Sequence, residues 1–331
     1  MNNIINKENF PITYQEISDY FVKYSDVTPF SLRKETFLKI EEVTGIPLIC
    51  YVAKTHNVSQ DMTAYIDDSD LTGFGDLIHS TQSESVNIFI VSNGGSVEAT
   101  ERIVHLLRER FKKLVRFIIP ANAYSAATLI SFSADEIIMD SMGTLGPIDP
   151  QINGIPARAI LRAFETIEQR LKEEGPRALT AYLPLISKYD LHILEICKSA
   201  QEYSKELAKK WLSNYMLKGL DDDNKLNQIV EFFSNYDIHK SHGRSINREK
   251  AREIIGQKVK YAEEIEGLSD LIRSLYNQYE LWFDKTPFYK VFENARGINW
   301  GRQTTIVQFA PMGEAILNPK IKPPSIPETS A

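Results

Sequence analysis

The stretch PANAYSAATLISFSADEIIMD, Pro120 to Asp140, places small residues on both sides of one serine, Ser125. It follows LVRFIIP (Leu114–Pro120), which is apolar and β-branched, and it ends in EIIMD, again strand-like. Residues 114–140 therefore read as strand, helix, strand. The same rhythm precedes them. SVNIFIVS (Ser85–Ser92) reads as a strand and SVEATERIVHLLRERF as an amphipathic helix, with Val97, Thr100, Ile103, Val104 and Leu107 on one face. IPLICYVAK (Ile46–Lys54) is an earlier strand, followed by DDSDLTGFGDLIHS (Asp67–Ser80) with Leu71, Phe74 and Leu77 at helical spacing. Strands alternating with helices predict an α/β fold, a parallel sheet with crossover helices. The strands are continuously apolar, as expected when both sheet faces are covered.

After Asp149 the texture changes. Residues 156–220 and 245–278 show mainly helical periodicity, and TTIVQFAPM (Thr304–Met312) reads as a last strand. The expected layout is a helical extension over 1–40, a core domain over 41–265, a helical and strand extension over 266–315, and a mobile Pro-rich tail over 316–331.

The composition fits a folded globular chain: 331 residues, 43% hydrophobic and 25% charged. A net charge of -6 with no basic tract argues against nucleic acid as a partner. The two cysteines, Cys50 and Cys197, sit in apolar company and read as buried reduced thiols. His239 and His242 lack further ligands at metal-binding spacing, so neither a metal nor another cofactor is expected. With no signal-like apolar run and no membrane span in the sequence, a cytoplasmic location is expected.

Two loops carry candidate chemistry. Gly94-Gly95, in IFIVSNGGSVEATERI, joins a strand to a helix, and Ser125 stands one strand later at a similar junction. A parallel sheet brings both loops to the carboxyl ends of its strands, where sites form. Ser125 reads either as a helix cap or as a nucleophile at a helix N-terminus. In the second case, amides of Ala126 and of Gly94 or Gly95 form an oxyanion hole, worth about 3–4 kcal/mol per donor. Tyr124 reads as pocket lining or sheet packing. Ser96 reads as a helix cap or a substrate contact, and Thr128 as a backbone-bonded residue. Asp140 and Asp149 read as strand-end and turn structure.

The motifs SNGGSVEATERIVHLL, ANAYSAATLISFSADEIIMD and MGTLGPIDPQI, in this order, resemble the ClpP/crotonase superfamily. Within it the chain is most similar to the serine dehydrogenase proteinases and the signal peptide peptidase A group, over roughly residues 40–260. The resemblance implies a ClpP/crotonase-type fold with added terminal helices. It also implies a serine peptidase with Ser125 as nucleophile, a peptide or protein substrate, and a homo-oligomer. Two positions depart from the pattern: Asn93 replaces the usual proline, and Ala126 and Ala127 replace glycines.

The base stays open between two residues. The ClpP histidine would fall near Ile148 or Asp149, and no histidine lies between His105 and His192. Signal peptide peptidase A uses a lysine, which makes Lys188, in LPLISKYDLHILEI, the first candidate. His242, in HGRSINREKAREIIGQKV, is the second. A crotonase-like acyl-CoA enzyme and a catalytically silent scaffold are the rival functions, and a regulatory protein partner is a further expectation.

Overall fold

The computed structural model describes residues 10–58, 64–190 and 192–304. Numbered along the chain, the strands are β1 (Leu48–Ala53), β2 (Ser85–Val91), β3 (Leu114–Ile119), β4 (Asn122–Ala123), β5 (Glu136–Met139), β6 (Thr144–Leu145), β7 (Gln151–Ile152), β8 (Ile155–Pro156), β9 (Ile246–Asn247), β10 (Val259–Tyr261), β11 (Phe288–Asn294) and β12 (Asn299–Gln303). Seven of them form the main sheet in the order β10-β5-β3-β2-β1-β11-β12. From β10 to β1 neighbours are parallel; β11 and β12 close the edge antiparallel. The fold is thus α/β with a largely parallel sheet, as the strand-helix alternation requires.

Alternation along each strand divides the core into two layers. Ile49, Tyr51, Ile88, Ile90, Phe117 and Ile119 face one layer. That layer is built with α3 (Asp70–Ser80), α4 (Val97–Arg110), α5 (Ala126–Ser131), α8 (Ile193–Trp211), α9 (Asp223–Ser234) and α11 (Arg248–Ile255). Cys50, Val52, Phe89, Val91 and Ile118 face the other, against α2 (Pro29–Thr44) and α12 (Leu268–Lys285). Both cysteines are free and buried.

The boundaries expected at 40/41 and 265/266 fall inside this packing. The helix α2 runs through the first, and β11 pairs with β1 in one register, Ile49 opposite Asn294 through Ala53 opposite Lys290. Neither β11 nor β12 is read as a strand from the sequence, because FYKVFEN carries Lys290 and Glu293. Both charges are buried and satisfied across the sheet. Glu293 takes a bidentate pair from Arg33 at 2.7 Å, and Lys290 pairs with Asp70 at 2.8 Å. The strand expected over Thr304–Met312 lies outside the described residues except for Thr304, and the Pro-rich tail lies wholly outside them.

A small sheet of β4, β6 and β9 sits beyond the carboxyl ends of β2 and β3. It joins the loops after β3, after β5 and before α11 into one floor, and the candidate site stands on it. The helices α6 (Ala157–Glu174) and α7 (Leu179–Ile186) extend beyond this floor. Among the described residues, no helix is long and apolar enough to cross a membrane.

Candidate active site

Ser125 precedes α5 with φ 51° and ψ -119°, and its side chain makes no capping hydrogen bond. That does not fit the cap reading, since a cap residue sits in extended backbone and accepts from the helix. A non-glycine residue at this φ/ψ costs on the order of 1–3 kcal/mol. The strain holds the hydroxyl at the tip of a sharp strand-to-helix turn, a geometry that exposes a nucleophile. Ser125 is half-buried, and its Oγ has no hydrogen-bond partner among the described residues.

The glycine loop lies directly against it. A Cβ on Gly94 would come within 2.6 Å of Ser125 Cβ, so only glycine permits the approach. Gly94 N–H donates to Ser92 Oγ at 3.1 Å and is thereby committed. Gly95, at φ 153°, and Ala126, the first residue of α5, keep amides without partners among the described residues. Of the two glycines offered by the sequence, the structure leaves Gly95 as the free donor.

Ser125, Gly95, Ala126, Tyr124, Ser96 and His242 all line one cleft of about 830 Å³. Nδ1 of His242 lies 2.9 Å from Oδ1 of Asp149. Asp149 is 1% exposed, whereas His242 keeps a fifth of its side-chain surface open. Asp149 thus does more than shape a turn. The contact spans 93 positions in sequence, so local pattern could not show it. The one available signal was the aspartate standing where the resemblance leads one to look for a histidine.

Lys188 lies elsewhere. It is exposed, in the turn that follows α7, and is not among the residues lining the cleft. Ser96 caps α4, accepting from Ala99 N at 3.0 Å, while also facing the cleft. Tyr124 shares a 2.7 Å hydrogen bond with Ser245, and its ring covers Gly146, where a Cβ would be 3.0 Å away. Thr128 donates to Ala123 O and accepts from Gly146 N, tying the serine turn to the following loop. Asn93, one of the departures, donates to Thr55 O at 2.8 Å, and both residues line the cleft. No group of three or more His, Cys, Asp or Glu could hold a metal among the described residues.

The family model of the ClpP-like SDH-type serine proteinases matches residues 63–214. Over that segment, just under half of the chain, the sequence is similar to the SDH-type serine proteinases. The segment carries Ser125, both glycines and Asp149, and it ends before His242. Two curated relatives from Methanocaldococcus jannaschii align with the chain. Uncharacterized protein MJ1495 is 34% identical over 139 residues, 40% of this chain and 47% of that one. Uncharacterized protein MJ0137 is 38% identical over 84 residues, 25% of this chain and 29% of that one. The chain therefore spans about half the length of these relatives or less. Among solved structures, two variants of the 1510-N membrane-bound stomatin-specific protease align at TM-score 0.35. One, a serine-to-alanine variant, is 19% identical and covers 59% of this chain and 74% of that one. The other, a lysine-to-alanine variant with a substrate peptide, is 20% identical and covers 59% and 70%.

Proposed function

We propose that this chain hydrolyses peptide bonds through an acyl-enzyme on Ser125. His242 is the general base, and buried Asp149 orients it. The observation that carries the reading is His242, paired with buried Asp149, lining the cleft that also holds a strained, uncapped serine. With Nδ1 turned to the carboxylate, His242 keeps Nε2 for the hydroxyl proton. The imidazolium formed on attack is stabilised by a carboxylate that burial protects from solvent. The tetrahedral oxyanion takes hydrogen bonds from Gly95 and Ala126. His242 then returns the proton to the leaving amine, and water attacks the ester by the same route.

Lys188 has no part in this scheme, because it is exposed in the turn after α7 and does not line the cleft that holds Ser125. The test is labelling by a fluorophosphonate probe. Wild-type protein labels, and Ser125→Ala does not. His242→Ala and Asp149→Asn label slower by a factor on the order of 10²–10⁴, while Lys188→Ala keeps the wild-type rate. A folded wild-type chain that never labels points to the silent scaffold. Slow labelling in Lys188→Ala with normal labelling in His242→Ala reassigns the base.

A further inference from the structure

Lys290 is fully buried on β11, outside the segment matched by the family, and the catalytic scheme makes no use of it. Its ammonium donates to both oxygens of Asp70, at 2.8 and 3.0 Å, and to Tyr65 O at 2.8 Å. Asp70, equally buried, also accepts from Tyr51 Oη at 2.9 Å and from Asp67 N at 3.2 Å. Burial pushes the Asp70 carboxyl up, and the ammonium beside it offsets part of that rise. A buried pair of this kind contributes little net stability compared with apolar side chains of the same size. What it supplies is a fixed position for the backbone it grips.

That backbone is the neighbour of the oxyanion loop. Ile66 N donates to Gly94 O at 2.7 Å, and Ser96 N donates to Ile66 O at 2.8 Å. Ile66 and Gly95 form an isolated parallel bridge, outside any named strand. A Cβ on Gly95 would lie 2.2 Å from Ile66 O, so the two backbones are in direct contact. The direction of the Gly95 amide is therefore set by where residues 65 and 66 lie, and Lys290 holds the carbonyl between them.

We propose that Lys290 is a positioning residue for the oxyanion loop, acting through Asp70 and the Tyr65 carbonyl to hold Ile66 against Gly94, Gly95 and Ser96. The proposal rests on the reading of Gly95 as an oxyanion donor. The C-terminal strand pair thereby tunes a site whose reacting groups all precede it in the chain.

Lys290→Met alone leaves a buried carboxylate unpaired, so the informative variant is Asp70→Asn/Lys290→Met, which keeps the site neutral. Two readouts are taken on this folded variant. Hydrogen exchange at the amides of Ile66 and Ser96, which the bridge protects, is expected to quicken at least ~10-fold with α12 unchanged. Fluorophosphonate inactivation is expected to lose at least ~10-fold in its maximal rate with the probe's apparent binding constant within about twofold. A general loss of packing would instead quicken exchange in α12 as well and overturn the assignment. So would unchanged exchange at Ile66 and Ser96, or quickened exchange with an unchanged inactivation rate. If the wild type never labels, the hydrolase reading falls, and the exchange result still decides whether Lys290 holds the loop.

Discussion

At Ser125 stability and chemistry oppose each other. The backbone there, φ 51° and ψ -119°, suits glycine better than any residue with a side chain. Ser125→Ala removes the hydroxyl and keeps the strain, whereas Ser125→Gly removes both. Glycine loses about 0.5–1 kcal/mol through the greater freedom of the unfolded chain and recovers about 1–3 kcal/mol of strain. Ser125→Gly is therefore expected to unfold at a higher denaturant concentration than Ser125→Ala, by roughly 1 kcal/mol in equilibrium unfolding, with labelling abolished in both. A Ser125→Ala protein equal to or more stable than Ser125→Gly would show that the turn is unstrained. Ser125 was legible in the sequence as a candidate nucleophile, from small residues around one serine after a strand together with the family resemblance. Its backbone conformation was not, because it is imposed by Gly94, 31 positions earlier, pressing against the serine's Cβ.

Among the elements, the loop that delivers His242 is the one least visible in sequence. It starts from α10 (Tyr236–His239), whose Asp237 is held by Arg158 at 3.1 Å and Arg162 at 2.7 Å from α6. Lys240 turns the chain out of α10 in the left-handed region, at φ 63°. His239 is 3% exposed, with Nε2 against Phe232 O and its ring edge-on to Phe232. Burial, the larger effect, lowers its basicity below the ordinary value of 6.5, while the backbone contact partly offsets this. The folded state thus holds a neutral imidazole that the unfolded chain protonates more readily. The stability from this group is complete above about pH 6.5 and is lost as pH falls from there through the depressed folded-state value. Wild-type protein should lose more of its thermal midpoint between pH 7 and pH 5.5 than His239→Gln does. Parallel midpoint curves for the two proteins would remove His239 from the account. The pattern HKSH offered two histidines, and only burial separates their roles: His239 fixes the element and His242 faces the cleft.

Over the whole molecule, the half of the chain that carries the recognisable motifs is not the half that completes the fold. The strands β1, β2, β3 and β5 were legible from their apolar runs, whereas the two-residue β4 was not. The edge formed by β11 and β12 was not, because its buried charges find partners more than 200 residues away, Lys290 on Asp70 and Glu293 on Arg33. A chain ending at residue 265 would keep Ser125, His242 and Asp149 yet lose α12, β11 and β12. Leu268, Ile272, Leu275, Tyr279 and Phe283 of α12 are all buried, and each contributes about 1.5–3 kcal/mol on burial. Their sum is comparable to the entire stability of an ordinary domain, about 5–15 kcal/mol. The truncation also leaves Arg33 as a buried cation without its carboxylate and opens β1 as an unpaired edge. Residues 1–265 alone should therefore show no cooperative unfolding transition and no labelling of Ser125. A soluble 1–265 fragment with a sharp thermal transition would mean that the core folds on its own, and that β11, Lys290 included, is an addition to a finished sheet.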